Sequence, residues 1–88
     1  MITREKVLDV VLRNMADTVE TLEDVKIDPS QSMVDLGVNS LDIVEIVSCS
    51  MRELKVKVPR SELKTLNNID TLVDLLYRVA EEKEQAAN

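Results

Sequence analysis

Residues 35 to 46 read Asp35-Leu36-Gly37-Val38-Asn39-Ser40-Leu41-Asp42-Ile43-Val44-Glu45-Ile46, a stretch that contains the only glycine of the chain. Asn39 is a favourable helix N-cap, and Asp42 stands three residues later, where its side chain can reach back to a free backbone N–H. Apolar residues then recur at helical spacing. The pattern predicts a helix from Ser40 to Leu54, with Gly37 supplying the backbone freedom for the turn before the cap.

Ser40 falls at the first position of this predicted helix, where we expect its hydroxyl to point outward. Free N–H groups and a partial positive charge at a helix N-terminus favour an attached anion such as a phosphodiester. The chain contains no histidine, which argues against Ser–His or Cys–His nucleophile pairs and the usual zinc sites, so we predict no metal site. Ser40 is therefore interpreted as a modification site, and the protein is predicted not to be an enzyme.

The stretch resembles the acyl and peptidyl carrier proteins, whose pattern is an acidic residue, then Leu-Gly, then Asp-Ser-Leu at the start of a helix. The resemblance implies that Ser40 carries 4′-phosphopantetheine, transferred from coenzyme A by a phosphopantetheinyl transferase, and that the thiol of this arm holds acyl groups as thioesters. Asn39 stands where the family usually has Asp. It caps a helix about equally well, but it removes one charge from the site that the transferase must grip.

The predicted second helix carries two apolar stripes, and we assign the one richer in large aliphatic residues to the core. That stripe comprises Ile43, Ile46, Val47, Ser50 and Leu54. In carrier proteins the helix face beside the serine is where partner enzymes dock, so the other stripe and its neighbours are the predicted partner-binding residues. They are Asn39, Leu41, Asp42, Val44, Glu45, Ser48, Met51 and Arg52. The alternative is that Leu41 and Val44 complete a wide core face.

Three further segments complete the predicted fold. A first helix capped by Thr3 runs from Arg4 to Val19 or Leu22, because apolar residues recur there at helical spacing. The loop that follows is expected to be anchored by Val25, Ile27, Met33, Val34 and Leu36.

Pro59 ends regular structure, and a short helical turn from Ser61 to Leu66 is predicted after it. Asn67 or Asn68 then caps a final helix from Ile69 to about Glu82, while residues 1–2 and 83–88 are expected to fray. The predicted fold class is all-α, a small four-helix bundle of three main helices and one short one, with residues 1–88 as a single carrier domain.

Composition narrows the function classes. The 88 residues carry a net charge of −6 and one aromatic residue, Tyr77, so neither phosphate attraction nor base stacking favours nucleic acid as a partner. No apolar run is long enough for a signal peptide or a membrane span. Cys49 is the only cysteine, so no internal disulfide forms, which fits a cytoplasmic location. We expect a monomer.

Charge is unevenly distributed along the chain. Residues 17–45 contain eight acids against Lys26, whereas residues 52–64 contain five basic residues against two acids. The basic residues are Arg52, Lys55, Lys57, Arg60 and Lys64. The carrier family commonly keeps this second region acidic, so the chain departs from it here. The departure suggests partners whose docking surfaces are not uniformly basic, although a solvated charge run without a partner is an equal alternative.

Within the family, residues 51–54, 58–63 and 68–69 look like those of the stand-alone donor carriers of polyketide β-branching cassettes. Those carriers present an acetyl thioester to a hydroxymethylglutaryl (HMG) synthase-like enzyme. The predicted function is therefore that of an acyl carrier delivering thioesters to acyl-transferring or condensing enzymes in polyketide biosynthesis. Alternatives are a fatty-acid or peptidyl carrier, and a helical adaptor that binds partners without a prosthetic group. An autonomous hydrolase using Ser40 or Cys49 lacks a base.

Overall fold

The computed structural model describes residues 2–19, 22, 26–63 and 66–86. Within these ranges the chain forms four α-helices and no strand: α1 Arg4–Thr18, α2 Ser40–Leu54, α3 Arg60–Leu63 and α4 Ile69–Ala86. The predicted all-α bundle of three main helices and one short one is confirmed. Predictions that involve Glu20, Glu23, Asp24, Val25 and Lys64, and the side chain of Arg60, lie outside what is described.

Each long helix begins at a polar cap. The Thr3 hydroxyl accepts a hydrogen bond from the Lys6 backbone N–H (3.1 Å), and the Asn68 side chain accepts one from the Thr71 N–H (2.9 Å). Asn68, rather than Asn67, is therefore the cap of α4. These bonds satisfy N–H groups that have no partner inside a helix, which explains why the helices start where they do.

The core lies where α1 packs against both α2 and α4. The predicted core stripe of α2 is confirmed, since Ile46, Val47 and Ser50 are buried while Ile43 and Leu54 pack partly buried against the cluster. Other core residues include Val7, Val11, Met15, Ile69, Leu72, Val73 and Leu76. Burying these apolar side chains is the main source of stability for so small a domain.

Among the described residues, a partly buried polar contact joins α1 and α2. The Asn14 side-chain amide donates to the Val10 carbonyl (2.9 Å) and to the Ser50 hydroxyl (3.3 Å). Ser50 is fully buried, so this bond supplies the partner that its hydroxyl needs away from water. At the surface, Arg4 pairs with Asp74 (2.8 Å) and Asp70 (3.4 Å) and joins the start of α1 to α4.

The helix ends differ from several predictions. Helix α1 stops at Thr18, and Leu22 is buried outside the helix, where its N–H donates to the Val19 carbonyl (2.9 Å). The short helix α3 spans Arg60–Leu63 instead of the predicted Ser61 to Leu66.

At both predicted frayed ends, the residues that the structure describes are also more ordered than expected. Ile2 packs against the core, and α4 continues to Ala86, four residues past its predicted end at Glu82. The Lys83 ammonium donates to the Lys55 carbonyl and ties this last part of α4 to the end of α2. Residues 83–86, Lys-Glu-Gln-Ala, are also good helix formers.

Burial corrects the predicted core in two directions. Val10, Val38, Val56, Val58 and Leu75 are buried although the sequence pattern did not single them out as core. Conversely, the prediction that Val34 anchors the loop is wrong, because its side chain is 75% exposed.

Candidate functional site around Ser40

The turn before α2 has the geometry of a helix C-terminus. The Gly37 N–H donates to the Val34 carbonyl (3.0 Å), and the Val38 N–H donates to the Met33 carbonyl (3.0 Å). These two bonds, with Gly37 at a φ of 86°, form a Schellman motif over residues 33–38. Met33 and Val38, which such a motif brings together, are both buried in the core. The turn is thus held by two backbone hydrogen bonds and by the burial of two apolar side chains.

A reciprocal pair of hydrogen bonds starts α2 immediately after this turn. The Asn39 side-chain oxygen accepts from the Asp42 N–H (2.8 Å), and the Asp42 carboxylate accepts from the Asn39 N–H (3.2 Å). This is the capping box that the sequence predicts. The box fixes the direction in which the chain enters α2, and Ser40 is the first residue of the helix.

Ser40 meets the requirements for carrying an anionic group. It is exposed, and among the described residues its hydroxyl makes no hydrogen bond, so the oxygen is accessible to an enzyme. Its position beside the positive end of α2 favours a phosphodiester by about 0.3–1 kcal/mol. The residues at this site therefore fit the phosphopantetheine group that the resemblance implies.

The loop leading to the site is fastened to the start of α4. The Met33 N–H donates to the Asn67 carbonyl (2.9 Å), and the Asp70 N–H donates to the Pro29 carbonyl (3.0 Å). The Asn68 amide, which caps α4 through its oxygen, donates through its nitrogen to the Ser30 carbonyl (3.2 Å). One side chain thus holds the helix start and the loop together, a link that the sequence did not indicate.

A further contact shapes the start of this loop. The Asp28 carboxylate accepts hydrogen bonds from the Ser30 hydroxyl (2.7 Å) and the Ser30 N–H (2.9 Å). Both bonds favour the charged carboxylate, so they lower the pKa of Asp28 below its ordinary value.

The predicted partner-binding residues differ in exposure. Leu41 is 80% exposed and Val44 is 46% exposed, so these two side chains do not complete the core face. Asn39, Glu45 and Arg52 are exposed as well, whereas Asp42 and Ser48 are half-buried. The free side chains of Leu41 and Val44 therefore lie among acidic neighbours at the Ser40 end of α2.

Met51 differs from the rest of this predicted face. It is half-buried and packs against the core, and its sulfur accepts a hydrogen bond from the Val58 N–H (3.1 Å). The cause is the chain reversal after α2, where the Lys55 N–H donates to the Arg52 carbonyl (3.3 Å) and the Val56 N–H to the Met51 carbonyl (3.0 Å). The returning segment covers much of Met51, which limits the area that this residue can offer to a partner.

The basic region lies at the opposite end of α2 from Ser40. Arg52, Lys55 and Lys57 are exposed, and an open depression there is lined by three lysines and one acid among apolar groups: Lys55, Lys57, Lys83, Glu82, Val56 and Val79. The charge balance therefore changes along α2, from acidic around Ser40 to a basic excess beyond Met51, where Glu53 and Glu82 are also exposed. Two absences hold for the residues that the structure describes: no group of His, Cys, Asp and Glu side chains is arranged to hold a metal ion, and no helix is long and apolar enough to cross a membrane.

Comparisons with known proteins agree with this geometry. Residues 10–76 match the family model described as phosphopantetheine attachment site. The chain is 30% identical over 74 residues to the polyketide biosynthesis acyl-carrier-protein AcpK of Bacillus subtilis (strain 168), which covers 84% of this chain and 90% of that protein. It is 33% identical over 79 residues to the acyl carrier protein of Campylobacter hominis, covering 90% of this chain and 95% of that protein.

A solved structure is similar as well. The fold matches a chain in the crystal structure of the curacin biosynthetic pathway HMG synthase in complex with acetyl donor-ACP, where ACP denotes an acyl carrier protein. The TM-score is 0.77 and the identity 32%, over 85% of this chain and 96% of that chain. Sequence, fold and family model therefore agree on one assignment. The chain belongs to the phosphopantetheine-binding family of acyl carrier proteins, which carry acyl groups on a phosphopantetheine arm.

Proposed function

We propose that Ser40 is the residue that receives phosphopantetheine and that this chain is a non-catalytic carrier which delivers acyl groups to separate enzymes. The single observation that carries the proposal is the exposed Ser40 hydroxyl at the first position of α2, directly after a complete capping box. When bound, the arm supplies a flexible thiol that holds acyl groups as thioesters. Ser40 holds the arm, and α2 fixes the direction in which it leaves the protein.

The attachment site is tested by incubating the apo protein with coenzyme A, magnesium and a broad-specificity phosphopantetheinyl transferase. Intact-mass analysis is expected to show one added phosphopantetheine, which disappears in Ser40→Ala. Ser61→Ala is a matched control, because Ser61 is also an exposed serine near a helix start but lacks the capping box. A mass gain that persists in Ser40→Ala would refute the assignment.

We further propose that the face beside Ser40 binds partner enzymes and that the protein acts as a monomer. Leu41 and Val44 supply exposed apolar area, and Asp42 and Glu45 supply negative charge at its edge. Apolar contact surrounded by charge suits a surface that partners occupy in turn, because the charge guides encounter while the apolar area provides affinity. Light scattering of the isolated protein is expected to give the mass of one chain, 9.9 kDa, and Leu41→Ser should leave that mass unchanged.

The acyl group that we propose is acetyl, donated to an HMG synthase-like enzyme in polyketide β-branching. Support comes from the similarities to the polyketide carrier of Bacillus subtilis and to the structure of an HMG synthase with an acetyl donor carrier. The acetylated holo protein is expected to be consumed by such an enzyme, with a fatty-acid acyl carrier protein as a poor substitute. Equal consumption of the two carriers would leave only the broader carrier function.

The basic region supplies a sharper test of the same proposal. Exposed ionic contacts are each worth only about 0.2–1 kcal/mol and are screened by salt. The double variant Lys55→Glu with Lys57→Glu is therefore expected to slow association with the acetyl-accepting enzyme at low salt and to have little effect at high salt. Modification of Ser40 should be unchanged, because these lysines lie at the other end of α2.

Fatty-acid synthesis is the second candidate, because the chain is also 33% identical to the acyl carrier protein of Campylobacter hominis over nearly its whole length. Under this alternative the malonyl form of the holo protein would support chain elongation by fatty-acid condensing enzymes, and acetyl transfer to an HMG synthase-like enzyme would be slow. Running both assays with the same holo preparation decides between the two pathways.

A further inference from the structure

Val34 is an apolar side chain that is exposed to solvent and contributes little to the core. It is 75% exposed, and its neighbour Met33 fills the core position of the turn. The other large apolar side chains exposed among the described residues are Leu41 and Val44, so all three fall within residues 34–44. A single exposed apolar residue is ordinary, but the grouping of all three within residues 34–44, around Ser40, favours a surface that a partner covers.

The backbone places Val34 close to Ser40. The Val34 carbonyl accepts the Gly37 N–H at 3.0 Å, and three peptide units separate Gly37 from Ser40, a path of at most about 11 Å. Leu41 follows Ser40 directly, and Val44 lies one helical turn further along α2. Exposed apolar groups therefore stand on both sides of Ser40 along the chain.

The reaction at Ser40 decides which partner must cover this surface. In the transfer step the Ser40 oxygen forms a bond to the β-phosphorus of coenzyme A, the bond from that phosphorus to the adenosine bisphosphate breaks, and the hydroxyl proton passes to a base of the enzyme. The transferase must therefore bring the phosphorus to bonding distance from the serine. Enzymes that act on the thiol reach it through the arm and are free to dock further away.

We infer that Val34 extends the Leu41 and Val44 surface across the turn and serves as an apolar anchor for the phosphopantetheinyl transferase. The inference rests on the proposed attachment at Ser40. Because each of these side chains has an acidic sequence neighbour (Asp35, Asp42 or Glu45), the matching surface on the transferase is an apolar recess edged by basic groups. A second copy of this chain is a poorer occupant, because it would bring the same acidic groups together.

Two added charges in the same loop test the inference. Val34→Glu is expected to lower kcat/KM for modification of the apo protein about tenfold, equivalent to about 1.4 kcal/mol of lost apolar contact. Gln31→Glu adds the same charge at an exposed position three residues earlier and should change the rate less than about twofold. If electrostatic attraction alone governed the encounter, Val34→Glu would raise kcat/KM, because the variant makes the acidic surface more acidic.

Val34→Thr, which keeps the shape without adding charge, is expected to lower kcat/KM about threefold at both low and high salt. Melting temperatures of all three variants should match that of the wild type, because Val34 and Gln31 are exposed. The inference is overturned if Val34→Glu is modified as fast as the wild type, or if Gln31→Glu slows modification equally. It is also overturned if the wild type forms a dimer that Val34→Glu dissociates, because a second copy would then cover the surface. If the wild type itself gains no phosphopantetheine at Ser40, the proposed attachment fails instead.

Discussion

Replacing Gly37 by alanine tests the turn that presents Ser40. Gly37 has a φ of 86°, and a Cβ atom placed on it meets nothing within 4 Å, so the effect comes from the backbone conformation and not from a clash. The left-handed region is unfavourable for alanine by roughly 1–2 kcal/mol. Alanine also restricts the unfolded chain, which offsets about 0.4–1 kcal/mol of that loss. We expect a net decrease of about 1 kcal/mol in the free energy of unfolding.

For a domain of this size the change corresponds to a decrease of about 4–8 °C in Tm. Thermal melts followed by circular dichroism measure it directly, and urea unfolding gives the same free energy independently. Gly37→Asn is the milder control, since asparagine adopts positive φ more readily than alanine. A Gly37→Ala protein with the Tm of the wild type would refute the backbone explanation.

Lys55 provides the reverse experiment on the same motif. The chain after α2 repeats the hydrogen-bond pattern of residues 33–38, but a lysine with a φ of 59° occupies the left-handed position. Lys55→Gly relieves this strain and keeps the backbone carbonyl that accepts from Lys83. We expect a gain of about 0.5 kcal/mol and an increase of about 2–4 °C in Tm. A decrease in Tm would show that the lysine side chain contributes more than its conformation costs.

Four further outcomes follow from the geometry. Asn39→Asp keeps the cap, so Tm should hold within about 2 °C while transferase modification becomes faster at low salt only, and a rate gain that persists at high salt would contradict the electrostatic reason. Val44→Asp should leave the cooperative melt nearly intact but slow acyl transfer. Ile46→Asp should unfold the domain, because it forces an unpaired charge into the core. The reverse pattern would mean that the two faces of α2 are misassigned. Asn68→Asp retains the oxygen that caps α4 but loses the amide donor to the loop. The free energy of unfolding should therefore fall by about 1 kcal/mol, and hydrogen exchange in residues 30–33 should accelerate. Unchanged exchange there would refute the link. Because the pKa of Asp28 is lowered in the folded state, its contribution is complete above the ordinary value of 3.8 and is lost as the pH falls through the folded pKa, which NMR titration of its carboxyl carbon can locate.

Much of the functional site could be predicted from the sequence because it is built from short-range interactions. The start of α2 depends on Asn39 and Asp42, which lie three residues apart and whose side chains each bond to the other's backbone N–H. The position of Ser40 follows from them, while Gly37 serves the separate turn over residues 33–38, which is also closed by short-range hydrogen bonds. The apolar spacing of α2 also separated Ile46, which is buried, from Val44, which is exposed, because a regular helix converts spacing directly into direction.

Predictions failed where residues distant in sequence meet. The residues near Val34 in the chain do not indicate that Met33 is buried in the turn while Val34 is exposed. Burial at these positions depends on the rest of the core and on the Asn67 carbonyl, which accepts the Met33 N–H. The partial burial of Met51 likewise results from the return of the chain through Val58. Sequence thus determined the helix caps, the faces of α2 and the place of the serine, since those depend on neighbours within a few residues. The tertiary structure decided which loop side chains remain exposed for a partner, because loops lack a repeating geometry and their side chains are oriented by long-range packing.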